Sequence, residues 1–284
     1  MLTSLPGRVG LRIAAVAVAL LLAALALAQT TPPDTSAAAI APQNGVAGQG
    51  CDAIKQTAAH WWYNWYIDPD CDAPGYVPMI SGRDKQTPGD IQWQLDRLYS
   101  NGYRTVLAFN EPNQPGQSVM SVDKALGLWP ILTSRDDVTV SSPAVSGGHG
   151  GNEWLTAFMK GVADRNLRVD FVAAHFYGWT AGSCTAASLR SYLNWIKGVA
   201  GGRPIWVTEL GCLDASNTDE RTVRKFYHDA VQLMERMNIE RWSWYTAEKH
   251  HELVTNAQLT DLGKDFAAVS GEPRLCARGG PDTR

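Results

Sequence analysis

Two glutamates stand in the same kind of place in this 284-residue chain. Glu111 lies in TVLAFNEPN, residues 105–113, and Glu209 lies in PIWVTELGC, residues 204–212. In each, a mostly apolar, strand-like run delivers a carboxylate and then meets a residue that disturbs a strand. Pro112 has no N–H to give to a ladder, and Gly211 has no side chain to pack. Paired carboxylates suit glycoside hydrolysis, where one protonates the leaving oxygen and the other attacks the anomeric carbon. Side chains alternate along a strand, so Leu107, Phe109 and Glu111 are expected on one face, as are Ile205, Val207 and Glu209. Both carboxylates then point to the same mouth.

The elements that must position them follow from the hydrophobic pattern. Eight strand-like runs occupy residues 46–48, 60–65, 76–80, 105–110, 138–142, 171–177, 205–209 and 241–245. Amphipathic segments between and after them cover residues 89–100, 121–132, 153–164, 187–199, 219–237 and 261–269. The strands are near-continuous apolar runs, as in a parallel sheet covered by helices. The fold class expected is therefore α/β, a single-domain (β/α)8 TIM barrel, whose functional groups gather at the C-terminal ends of the strands. The two glutamates are 98 positions apart, close to three units of roughly 31 residues in a barrel of this size. A doubly wound open sheet is the structural alternative, but no glycine-rich phosphate turn follows any strand.

Composition narrows the partners. Charged residues are 19% of the chain, and 25 basic against 28 acidic side chains leave a net charge of −3. Without a basic block, nucleic acid is not an expected partner. The 11 Trp exceed what a core of this size needs, which points to ligand platforms or an interface. Arg8 and Arg12 precede an uncharged apolar run, residues 13–28. That run is short for a membrane span of roughly 20 residues. It reads as a secretory signal peptide over 1–28, with an uncleaved anchor as the alternative. Residues 29–43 read as a flexible linker, 44–276 as the catalytic domain and 277–284 as a C-terminal tail. The expected protein is secreted and extracellular, monomeric and free of the membrane after signal cleavage.

The blocks WWYNWY, YVPMI, LAFNEPN, SSPAVSGG, DFVAAHFYG, WVTELGC and WSWYTA occur in an order and spacing that resembles glycoside hydrolase family 128, a group of barrels acting on β-1,3-glucan. The likeness spans residues 44–270. It implies a retaining double displacement with Glu111 as acid/base and Glu209 as nucleophile, no cofactor, and β-1,3-glucan polysaccharide or oligosaccharide as the ligand. Endo attack is favoured, although the mode depends on loop shapes. A glucan-binding barrel with little turnover, or a hydrolase of another β-glycan, remain as rivals.

By the same resemblance, Asn110 would hydrogen-bond the 2-hydroxyl of the sugar being cleaved, and Tyr177 would hold Glu209 with His175 in the same network. Trp244 would stack under the reacting sugar and Trp179 would offer a loop platform. Asn64 is expected in the site beside Trp62, with Trp61, Tyr63 and Trp65 turned toward helices. Trp93, Trp129, Trp154, Trp195 and Trp206 are expected in the core. No metal is expected: Asp68, Asp70 and Asp72 mimic an EF-hand start without its glycine or final glutamate. The histidines of EKHHE, residues 248–252, read as a solvent- or substrate-facing loop. Of five cysteines, Cys184 with Cys212 and Cys51 with Cys71 are plausible neighbours in adjacent loops, which leaves Cys276 over.

Overall fold

Gly45 lies opposite Trp61 in a parallel strand pair, and a Cβ on it would sit 2.5 Å from the indole nitrogen. The missing side chain is what lets a tryptophan fill the space between strands. In the computed structural model, residues 42–48, 50–213, 219–245 and 250–271 are described. The leader 1–28, nearly all of the linker 29–43, Cys276 and the tail 277–284 lie outside them.

Eight parallel strands follow one another: β1 (Gln43–Ala47), β2 (Trp61–Tyr63), β3 (Met79–Ile80), β4 (Thr105–Asn110), β5 (Thr139–Ala144), β6 (Val172–Gly178), β7 (Ile205–Cys212) and β8 (Arg241–Tyr245). They form two arcs, β2-β1-β8-β7-β6 and β3-β4-β5. Two seams join the arcs. Trp62 N donates to Gly75 O at 3.1 Å and Val77 N to Trp62 O at 2.9 Å, while Ser142 N donates to Phe171 O at 2.8 Å and Asp170 N to Val140 O at 3.0 Å. The circuit is that of a (β/α)8 barrel.

Helices α1 (Cys51–Thr57), α2 (Pro88–Ser100), α3 (Val122–Leu132), α4 (Gly151–Asp164), α5 (Ala186–Ala200), α6 (Glu220–Arg236) and α7 (Asp261–Gly271) cover the outside. Their starts are chemically specified. Thr87 and Asp90 form a capping box with Pro88 at the first turn, and Ser121, Thr185 and Asp219 accept from backbone N–H groups three residues on. The six amphipathic segments read from the sequence are all helices; α1 is an addition. The first strand begins at Gln43, one residue before the expected domain start, because Gln43 N donates to Glu240 O at 3.0 Å.

No helix joins β2 to β3. The irregular segment between them is tied down by the Cys51–Cys71 disulfide and by the Arg97–Asp68 ion pair at 2.9 Å. A second disulfide joins Cys184 to Cys212, so both neighbouring pairs form. After β8, a short hairpin of β9 (Val254–Thr255) and β10 (Gln258–Leu259) precedes α7.

The core has two layers. Inside the barrel, Trp61, Tyr63, Val77, Met79, Leu107, Phe171 and Trp206 pack together, with Phe171 and Trp206 rings 4.1 Å apart. Between strands and helices lies the larger layer, in which Trp242 and Trp244 meet Tyr227 of α6.

Candidate active site

Both glutamates reach the barrel mouth where strand alternation fails. On β4, Leu107 faces the interior but Phe109 packs outward with an edge of its ring toward Trp129. Phe109 and Glu111 both have φ of 45°, a left-handed backbone that bulky residues rarely adopt. The register with β5 shifts on either side of Ala108. Glu111 is nevertheless held, since its N–H donates to Ala144 O at 2.7 Å. On β7, Ile205 and Val207 belong to the outer layer. Consecutive residues Ala174 and His175 of β6 pair with Val207 and Glu209, which leaves Thr208 as an extra residue. This bulge re-aims the next side chain, so Glu209 turns inward. The expectation that Ile205, Val207 and Glu209 share a face, like that for Leu107, Phe109 and Glu111, is corrected: the glutamates point in because the alternation is broken.

The carboxylates lie together, with one oxygen of Glu111, one of Glu209 and a ring nitrogen of His175 all within 4.8 Å of one another. Both glutamates are more than 90% buried. Glu209 is gripped by three donors: Tyr63 Oη at 3.1 Å, Trp65 Nε1 at 2.9 Å and the Tyr177 hydroxyl. Glu111 meets His175 Nδ1 at 2.9 Å, and the same nitrogen lies 3.4 Å from Glu209. Such a trio has the spacing of metal ligands. The donors around Glu209, however, already direct positive ends at the carboxylate, as a cation would.

The electrostatics follow. Burial pushes the Tyr63 and Tyr177 hydroxyls well above the usual tyrosine pKa, and the Glu209 charge pushes them further, so both act as donors. For His175, burial opposes the charged form, but Glu209 and the bond to Glu111 outweigh it and raise the pKa above the histidine norm.

The cleft over these groups has a volume of about 700 Å³ and is lined by Trp65, Tyr66, Asn110, Glu111, Tyr177, Trp179, Glu209 and Tyr245 among others. Asn110 donates to Gln117 Oε1 at 3.3 Å, while its Oδ1 is buried without a hydrogen-bond partner among the described residues. An acceptor so placed is available to a ligand hydroxyl. Trp179 is 55% exposed at the rim.

Of the predicted site residues, the structure gathers Glu111, Glu209, Asn110, His175, Tyr177 and Trp179. It places Trp244 away from the cleft and Asn64 not in this cleft but in the wall of a neighbouring one. Trp244 is fully buried, donates Nε1 to His251 O at 2.9 Å and packs on α6; its neighbour Tyr245 lines the cleft instead. Asn64 organises the β2–β3 connection, accepting from Tyr66 N at 3.1 Å and meeting the Tyr76 hydroxyl at 2.6 Å. On β2 the alternation was right and the face was wrong, since Tyr63 and Trp65 reach Glu209 while Trp62 packs outward. The available signals were small residues: Gly45 opposite Trp61 marks the interior face of β2, and polar Ser243 between two tryptophans marks that of β8. Trp93 is also corrected, being half exposed rather than core. His251 is fully buried rather than facing solvent or substrate; residues 246–249 lie outside the described set.

A family model described as glycosyl hydrolase catalytic core matches residues 39–266. Among solved structures, a GH128 (subgroup I) endo-β-1,3-glucanase from Amycolatopsis mediterranei in complex with laminaritriose is 32% identical with a TM-score of 0.70, covering 81% of this chain and 99% of that one. A GH128 (subgroup III) curdlan-specific exo-β-1,3-glucanase from Blastomyces gilchristii is 25% identical with a TM-score of 0.68, covering 79% and 97%. A GH128 (subgroup VII) oligosaccharide-binding protein from Cryptococcus neoformans is 22% identical with a TM-score of 0.63, covering 81% and 94%, a likeness of fold alone. A comparison with curated proteins found no match.

Proposed function

This chain belongs to glycoside hydrolase family 128, and from that premise we propose that it is a secreted endo-β-1,3-glucanase working by a retaining double displacement. The observation that carries the mechanism is the closeness of the two carboxylates, which have oxygens within 4.8 Å of each other. Retaining enzymes hold the pair about 5–5.5 Å apart, whereas inverting enzymes need roughly 6.5–9.5 Å to admit a water.

The division of labour follows from the hydrogen bonds. Glu209, fixed by Tyr63, Trp65 and Tyr177, attacks the anomeric carbon. Glu111 gives a proton to the departing glycosidic oxygen. A glycosyl–Glu209 ester forms as the C–O bond to the leaving sugar breaks. Glu111 then takes a proton from water, whose oxygen attacks the anomeric carbon and releases Glu209, restoring the original configuration. Asn110 Oδ1, buried without a partner among the described residues, accepts from a hydroxyl of the reacting sugar. Tyr245, Tyr177 and Trp179 offer ring faces to the sugar units nearby.

The substrate is proposed from the 32% identical relative, an endo-β-1,3-glucanase crystallised with laminaritriose. Export is proposed from the leader. It is supported by the two disulfides, which persist in oxidising compartments. The mature N-terminus of secreted protein, read by mass spectrometry, checks cleavage after Ala28.

The central test is hydrolysis of a soluble β-1,3-glucan by the wild type, Glu209→Ala and Glu111→Ala, each with and without azide. Both variants should lose several orders of magnitude in rate. Azide should rescue Glu209→Ala with an α-glycosyl azide product and Glu111→Ala with a β-glycosyl azide. Binding without cleavage by the wild type would replace the hydrolase reading with that of a sugar-binding barrel. Early loss of polymer size, ahead of glucose release, distinguishes endo attack.

A further inference from the structure

The large hydrophobic side chains most exposed among the described residues are Tyr66, Trp93, Val119 and Trp179. Three of the four are aromatic, and all three line clefts at the barrel mouth. Trp179 borders the catalytic cleft. Tyr66 borders that cleft and also a second one of about 480 Å³, which Trp93 lines as well. The two clefts share Trp65, Tyr66, Ser81, Arg83 and Asp84, so one space runs from the carboxylates, past the Glu209 donor Trp65, to the middle of α2.

We propose that this second cleft binds the outer units of the same neutral β-glucan chain, with Trp93 as a stacking platform and Tyr66 as the step between it and the catalytic cleft. The proposal rests on the hydrolase reading given above. Continuity with the catalytic cleft sets the occupant as an extension of the substrate. The charges agree. Asp68, Asp70 and Asp84 line the same cleft as Arg83 and Lys85, a mixture that favours neither a polyanion nor a polycation. Rings for C–H faces beside both kinds of polar group for hydroxyls suit a neutral polyol. Trp93 is also set in place: Arg97 Cζ and Lys85 Nζ stand 5.9 and 4.8 Å from its ring centroid, yet half of the residue stays exposed. Lys85, on a flexible stem, is displaced by a sugar or bonds its hydroxyls. The segment carrying Tyr66, between β2 and β3, is rigid enough to serve as a wall because Asn64, Tyr76 and the Cys51–Cys71 bridge hold it.

The test is calorimetric titration of a β-1,3-linked trisaccharide and hexasaccharide into Glu209→Gln, with and without Trp93→Ala or Trp93→Phe. Alanine is the best helix former, so the substitution keeps α2 intact, and melting temperatures verify it. Glu209→Gln should prefer the hexasaccharide; Trp93→Ala should cut that preference about tenfold, and Trp93→Phe should keep most of it. If Glu209→Gln binds both sugars equally, or if Trp93→Ala leaves the preference unchanged, the outer site is overturned while the hydrolase reading stands. If Glu209→Gln binds neither sugar, the hydrolase reading falls and the outer site falls with it.

Discussion

The imidazole Nδ1 of His175 lies 2.9 Å from Oε1 of Glu111. The same nitrogen is 3.4 Å from Oε2 of Glu209, so one donor is shared between the two carboxylates. This raises the histidine pKa despite complete burial. A raised folded pKa contributes stability that is fully present below the unfolded value near roughly 6.5 and is lost as pH rises through the folded one. His175→Asn should therefore destabilise the protein more at acidic than at alkaline pH. Urea unfolding of both proteins across that range measures the gap. A gap that does not vary with pH would mean that folding leaves the imidazole pKa unshifted, and a gap that widens toward alkaline pH would mean that the fold holds the imidazole neutral.

The grip on Glu209 predicts graded losses of rate. A hydrogen bond to a charged group contributes about 1.5–3 kcal/mol, roughly 10- to 100-fold. Tyr177→Phe and Trp65→Phe should each lower kcat by that factor on a β-1,3-glucan, with a smaller change in KM. Losses confined to KM would show that these donors bind substrate rather than orient the nucleophile.

The exchange of Trp244 for Tyr245 at the mouth can be tested by comparing adjacent substitutions. Trp244 is buried against Tyr227 and His251, so Trp244→Ala should cost about 3–5 kcal/mol of stability. Tyr245 lines the cleft, and Tyr245→Ala should raise KM at small cost in stability. The reverse pattern would restore the tryptophan as the platform.

His251 is fully buried, and both of its ring nitrogens lack a partner among the described residues. Burial, with help from His250, lowers its pKa to about 4. A lowered histidine pKa means that the unfolded chain takes up the proton first, so stability falls as pH drops from roughly 6.5 toward 4, by up to about 3 kcal/mol. His251→Phe keeps a ring against Trp244 and cannot titrate. Thermal melting over this window should show a shallower fall for the variant, and equal slopes would reject the assignment.

The Cys184–Cys212 bridge closes a sequence separation of 28 residues, for which chain entropy alone gives about 3–4 kcal/mol. Cys212 is also the last residue of β7, three positions beyond Glu209. Replacing both cysteines with serine should lower stability by about that amount and reduce kcat through looser placement of Glu209. Unchanged melting would show that the strand end is held by its ladder alone.

Much of this site was legible in the sequence because the relevant signals are local. Pro112 after Glu111, the apolar run ahead of Glu209, and the pairing of His175 with Tyr177 two residues on are visible without a fold. What misled was parity. Periodicity states which residues share a face but not which face is inside, hence the inversion of Trp62 and Asn64 against Tyr63 and Trp65, and of Trp244 against Tyr245. Parity also assumes an unbroken strand, and both strands that carry the glutamates are broken just before them, by the left-handed Phe109 and by the extra residue Thr208.

The sequence by itself determined the eight strand regions, the six later helices and the two carboxylates, because hydrophobic period and strand-breaking residues act over a few positions, while the tertiary structure decided the cysteine pairing. Only the tertiary structure decided which ring lies beside which carboxylate. Bulges, barrel register and the crowding of Trp61 against Gly45 are set by packing between strands distant in sequence, and a one-residue shift exchanges every side chain between core and mouth.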